Sequence, residues 1–251
     1  MCSDAYNNMG LALVDMGDIG GAINSYKQAL QIKPDYAEAH HNIGIALANK
    51  GDLQAAVDSY KEALKLRPDF ASALNNLGLA LMEKGNLDCA VEKYQDAIKV
   101  DPDCAPFHNN IGLALQEKGD VVGAIASYKN ALKIDPDCIE AAVNLALLPN
   151  SHIGAEELNI LKEILVRQLS FNEHCNDLKC LEAHVLRHAG DSKASFHAMC
   201  VFNMIEAQRL TVSIDSEHNK NKLYLRRLQN WTPKPATHNP SLIKKLFILA
   251  P

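Results

Sequence analysis

A chain of 251 residues with a net charge of −5 is long enough for one extended domain or two small ones, and its acidity disfavours phosphate-built partners. Its 47% hydrophobic content with only 6% aromatic residues suits helices packed through Ala, Leu, Ile and Gly and argues against a β-sandwich core. No apolar run nears the ~18 residues of a membrane span, and the start Met1-Cys2-Ser3-Asp4 has no secretory leader character.

The seven cysteines (Cys2, Cys89, Cys104, Cys138, Cys175, Cys180, Cys200) are odd in number, scattered and without a CxxC pair. They read as reduced thiols in a cytoplasmic protein. Charge is uneven: from Arg209 onward eight basic residues face Asp215 and Glu217, a balance of +6, which leaves −11 on residues 1–208. An acidic array repels phosphate backbones, so nucleic-acid binding by that part is disfavoured, and a helical-repeat RNA binder ranks last among the readings.

From the N-terminus, one pattern returns every 34 residues. Gly10, Gly44, Gly78 and Gly112 are followed by Ala22, Ala56, Ala90 and Ala124, then by Tyr26, Tyr60, Tyr94 and Tyr128. Ala29, Ala63, Ala97 and Ala131 come next, and Pro34, Pro68, Pro102 and Pro136 close each unit. A strict period of this length means a stack of two-helix units.

In the second unit the spacing predicts helix A over 37–50. Gly51 takes a left-handed stop and Asp52 caps the next helix. Helix B carries Leu53, Ala56, Val57, Tyr60, Ala63 and Leu64 as one apolar stripe. Pro68 ends it, and Asp69 is expected to cap the following helix A. Gly44 and Ala56 are expected to be small because helices A and B approach closely there, with Tyr60 filling space towards the next unit.

The Gly-Ala-Tyr-Ala-Pro pattern at this period resembles the tetratricopeptide repeat (TPR). The resemblance covers four units, 3–36, 37–70, 71–104 and 105–138, and implies an all-α, right-handed superhelix of antiparallel helix pairs. It further implies that helix A lines a concave face. On that face stands a column of asparagines, Asn8, Asn42, Asn76, Asn110 and Asn144, beside Asn7, His41, Asn75 and Asn109. Helix interiors do not favour Asn, so the column needs another reason. One reason is a ladder of amides suited to the backbone of an extended peptide. The other is bonding between neighbouring units that holds them in register; the two are compatible.

The ladder resembles the Asn-rich inner face of O-GlcNAc transferase repeats. It is unlike the carboxylate clamp of TPR co-chaperones, because Glu38, Asn49, Glu83, Gln116 and Glu117 stand where a clamp needs cations. The first unit begins with no polar capping helix before it, so upstream repeats or a partner are expected to cover that end.

A fifth helix A over 139–148 begins in register and stops at Pro149. Additional helices are expected over 139–210: an amphipathic one at 153–170, then a worn repeat over 178–209. There Gly190-Asp191 takes the turn, Ser195 stands for the packing alanine and Met199 for the tyrosine. His174, Cys175, Cys180, His184 and His188 fall in this stretch, but without a compact CxxC knuckle they carry no metal expectation. No GxSxG, HExxH or complete P-loop is present, so no catalytic residue and no cofactor is assigned.

Residues 211–251 form an irregular tail. Its Trp231-Thr232-Pro233 segment and Leu246-Phe247-Ile248-Leu249 run resemble the linker before the catalytic domain of TPR sulfotransferases. Together these features favour a non-enzymatic scaffold that binds a protein or peptide segment in an Asn-lined groove. The alternative is a substrate-recruiting, non-catalytic region of a larger transferase, sulfotransferase-like or glycosyltransferase-like.

Overall fold

In the computed structural model, residues 2–169, 176–190 and 195 are described, all within the first of two compact units, Met1–Ala207. The tail over 211–251, His174, Cys175 and Met199 lie outside the described residues. Among the described residues the chain is helical throughout, with eleven α-helices and no strand. Four A helices, α1 (Ser3–Asp15), α3 (Ala37–Asn49), α5 (Ala71–Glu83) and α7 (Ala105–Glu117), alternate with four B helices. The B helices are α2 (Ile19–Ile32), α4 (Leu53–Leu66), α6 (Leu87–Val100) and α8 (Val121–Ile134).

The turn inside each pair is built the same way four times. Gly17, Gly51, Gly85 and Gly119 have φ between 80° and 85°, a left-handed conformation that a side chain would penalise. In the second pair, Gly51 N–H donates to the Ala48 carbonyl at 2.9 Å and Asp52 N–H to Leu47 at 3.0 Å. This pair of hydrogen bonds closes the helix. Asp52 then accepts from Ala55 N–H at 3.2 Å, as Asp18 does from Gly21 and Asp120 from Gly123. One residue thus ends helix A and starts helix B. The third pair has Asn86 here, without a side-chain cap bond.

The connection between pairs corrects one expectation. Asp69 does not cap α5: the capping position is Phe70, with no side-chain bond. Pro68 and Asp69 instead occupy the centre of a tight turn closed by Phe70 N–H to Arg67 O at 3.2 Å, where Pro and Asp fit for their own backbone reasons.

Each B helix buries its stripe against the next A helix. Ala22, Ile23 and Tyr26 pack with Ile43 and Ala46; Ala56, Val57 and Tyr60 pack with Leu77 and Ala80. The glycine column has a different cause from the one expected. A Cβ on Gly78 would stand 2.6 Å from Tyr94 Cε1, and one on Gly112 equally close to Tyr128. Glycine therefore makes room for the tyrosine ring of its own pair, and the same ring reaches the next pair.

On α1 the face that later A helices bury stays open. Met9 is 43% exposed, whereas its equivalents Ile43, Leu77 and Ile111 are 3–7% exposed.

Beyond α8, α9 (Ile139–Ala146) ends early. Two side chains of α11 (Asn176–His188) satisfy its last carbonyls. Arg187 donates to the Ala146 and Leu148 carbonyls at 3.1 and 3.3 Å, and His188 to Ala146 at 2.9 Å. Between them α10 (Ala155–Leu169) is tied to α8 by Lys129 and the Glu156–Glu157 pair. Gly190 has φ 84°, like the other pair-turn glycines. Ser195 Oγ donates to the Ala183 carbonyl at 2.8 Å.

Candidate functional site

The two polar columns stand on the A helices, three and two residues before the packing glycine, and consecutive A helices touch one another. They differ sharply in burial. Asn7, His41, Asn75 and Asn109 are 6–9% exposed. In the second column Asn8 is exposed, Asn42, Asn76 and Asn110 are half-buried, and only Asn144 is buried.

The columns interlock across pairs. Asn42 Nδ2 donates to Asn7 Oδ1 at 2.9 Å, Asn110 to Asn75 Oδ1 at 2.9 Å, and Asn144 to Asn109 Oδ1 at 2.8 Å. In the second pair His41 replaces the asparagine, and its Nε2 lies 3.0 Å from Asn76 Nδ2. From Asn42 onward each amide of the outer column is therefore anchored on the inner column of the preceding pair. Anchoring leaves Oδ1 of Asn42 and Asn110 unbonded among the described residues and fixes which way each amide points. The ladder stops at α9, where Val143 takes the inner position.

His41 is the titratable member. Burial, aided by the Arg67 guanidinium and opposed by Glu38 and a bond to the Ser72 backbone, pulls its pKa down to about 4. The ring lies 4.7 Å from Phe70, whose other contact is the Arg67 guanidinium at 3.6 Å. Arg67 in turn holds Glu38 at 2.7 Å.

A histidine kept neutral by folding takes a proton below its ordinary pKa of 6.5 only when unfolded. Stability from this group is complete above pH 6.5 and lost as pH falls to about 4, at ~1.4 kcal/mol per pH unit. Replacing His41 by Asn, the residue of the other inner positions, keeps an acceptor for Asn76. The urea midpoint of H41N is expected to fall less between pH 6.5 and 4 than that of the parent. Residual slope is expected from His184, which burial, with Arg187 and His188 nearby, pushes down to about 3.

The histidines of α11 serve packing: His184 is 2% exposed and His188 holds α9. Among the described residues no three potential metal ligands converge. Sequence reasoning took Asn49, Glu83 and Glu117 only as unfit for a carboxylate clamp and missed that, with Asp15, they form a column, which the 34-residue spacing could have revealed. Seven residues after each outer asparagine, two turns along the same helix face, stand Asp15, Asn49, Glu83 and Glu117.

Family models described as TPR repeat and tetratricopeptide repeat match residues 10–51, 46–85, 78–119 and 105–138, together just over half of the chain. No curated protein matches. Among solved structures, PilF of Pseudomonas aeruginosa is 19% identical with a TM-score of 0.68, over 81% of this chain and 91% of that one. PilW, a type IV pilus biogenesis factor, is 21% identical with a TM-score of 0.64, over 86% and 96%. MamA of Desulfovibrio magneticus RS-1 is 22% identical with a TM-score of 0.55, over 76% and 96%. At these identities the likeness is one of fold.

Proposed function

The chain belongs to the tetratricopeptide-repeat family, and from that premise we propose that it is a non-catalytic scaffold whose A-helix face forms a groove for an extended segment of a partner protein. The observation that carries this reading is the anchored amide column. Asn42, Asn76 and Asn110 are half-buried and held by one N–H, Oδ1 of Asn42 and Asn110 is left to accept among the described residues, and Asn76 Oδ1 accepts from Asn75 Nδ2 at 3.4 Å. A peptide backbone offers a donor and an acceptor at every residue, and amides fixed in direction match it without ordering cost. Asn7, His41, Asn75 and Asn109 support the ladder from behind, Asn8 continues it on α1, and Asn144 ends it on α9.

Free cysteines at 2, 89, 104 and 138 support a reducing compartment, the cytoplasm. No helix among the described residues is long and apolar enough to cross a membrane.

The test is a peptide selected from a phage-displayed random library on the whole chain. Its affinity for the N42A/N76A/N110A variant should fall by on the order of a hundredfold, counting about one hydrogen bond's net worth per asparagine. Unchanged affinity would remove the groove.

A further inference from the structure

The A helices α1, α3, α5, α7 and α9 contain no lysine or arginine and six acidic residues, whereas the B helices α2, α4, α6 and α8 carry seven lysines. This segregation is not required by the fold, since both helix types bury the same kind of apolar stripe. The acids are also placed against local physics. Asp15, Glu83 and Glu117 sit in the last turn of α1, α5 and α7, where the helix dipole disfavours a negative charge, and no cation shares that turn.

All three are exposed and have no ion-pair partner among the described residues. The lysines beside two of them are engaged elsewhere: Lys118 pairs with Asp88 at 2.6 Å, and Lys84 donates to Gln54. Both turn towards the B helix of the preceding pair. Glu83 and Glu117 lie close enough to the buried Tyr94 hydroxyl, which has no bonding partner among the described residues, to help burial raise its pKa.

Between the outer asparagine and the acid, on the same helix face, stand the part-exposed Leu11, Ile45 and Leu79, whereas Leu113 of the fourth pair is buried. The face thus reads amide, aliphatic, carboxylate. A lysine or arginine residue offers the complementary groups in the same order: a backbone amide, an apolar stem and a cationic head.

Resting on the groove reading above, we propose that the A-helix groove selects extended partner segments bearing lysine or arginine, with Asp15, Glu83 and Glu117 as the residues that read the charge. The amides hold the segment's backbone, Leu11, Ile45 and Leu79 take the stems, and each carboxylate takes a head group, Glu117 without an exposed aliphatic neighbour because Leu113 is buried. Asn49 in the same column leaves the second pair neutral, so the groove reads charge at the first, third and fourth pairs.

The experiment uses the whole chain and a fluorescent peptide repeating Lys-Ser-Ala-Gly four times, compared with peptides carrying Gln or Glu in place of Lys. The lysine peptide should bind tightest and weaken as salt rises. The D15N/E83Q/E117Q variant should bind it about tenfold more weakly, given the small worth of each exposed ion pair. Its melting temperature should hold or rise, because charges at the wrong helix ends are gone. Neutralising three exposed acids of B helices, D58N/E62Q/E92Q, should leave binding unchanged.

Equal losses in the two triple variants would mean attraction by net charge alone and would overturn the proposal, as would equal binding of the lysine and glutamine peptides. If the glutamine peptide binds as well as the lysine one and N42A/N76A/N110A abolishes both, the groove stands without charge selection. If only the acid variant loses binding, the amide-lined groove fails while the acid column stands.

Discussion

Replacing Gly78 by alanine is expected to destabilise the chain by about 2–3 kcal/mol, although alanine is the better helix former by ~1 kcal/mol. The reason is steric: the new methyl would meet Tyr94 Cε1 at 2.6 Å and Cδ1 at 2.8 Å. Tyr94 is fully buried and cannot swing into solvent. Its ring has the backbone of α5 on one side and the core of the pair on the other. Tyr94→Met alone should also cost about 2 kcal/mol, by leaving space around a thinner side chain.

The two changes together should cost less than their sum, by about 1 kcal/mol or more, because a flexible methionine yields to the methyl group. The chain contains this exchange already. At the positions of the worn repeat that correspond to Gly78 and Tyr94 stand Ala183 and Met199. Urea unfolding of the four chains, followed by circular dichroism, measures the cycle. Strict additivity would mean that the ring is not what forbids a Cβ at the glycine.

That pairing shows where the amino-acid sequence is explicit and where it is silent. The left-handed glycines and the capping aspartates act within a few residues of themselves, so Gly51 and Asp52 could be read from local backbone physics. Gly44 and Tyr60 are sixteen residues apart on two helices; both recur, but recurrence alone does not say that they touch. Asp69 misled for a local reason: an aspartate before a helix serves a cap and a turn equally well, and Pro68 decided for the turn.

The polar columns were visible as columns, yet the helix phase could not tell which of two adjacent residues faces inward. Their bonds run between residues 35 apart, one more than the repeat, which places each donor one step round the helix from its acceptor. The closing of α9 by Arg187 and His188 spans about forty residues and has no periodic signal at all.

This division of the columns makes the two reasons for the asparagines separable by experiment. The inner residues Asn75 and Asn109 are buried and accept bonds from Asn110 and Asn144. In N75A/N109A the buried Asn144 amide loses the Asn109 acceptor, a loss worth about 1–3 kcal/mol. The urea midpoint should fall clearly while the outer face keeps Asn42, Asn76 and Asn110. Affinity for the library-selected peptide, measured well below the transition, should stay within about threefold of the parent, since of the three half-buried face amides only Asn110 loses its anchor while Asn42 and Asn76 keep theirs on Asn7 and His41.

The outer variant N42A/N76A/N110A orphans the inner acceptors of Asn7, His41 and Asn75, so it too should lose stability, by a comparable amount. It should differ in affinity, which is expected to fall by on the order of a hundredfold in the folded protein. A matched fall in stability with unmatched affinity is thus the signature of a ladder that binds as well as aligns. If both variants lose stability and neither loses affinity, the amides only hold neighbouring pairs in register, and the ligand must be sought off this face.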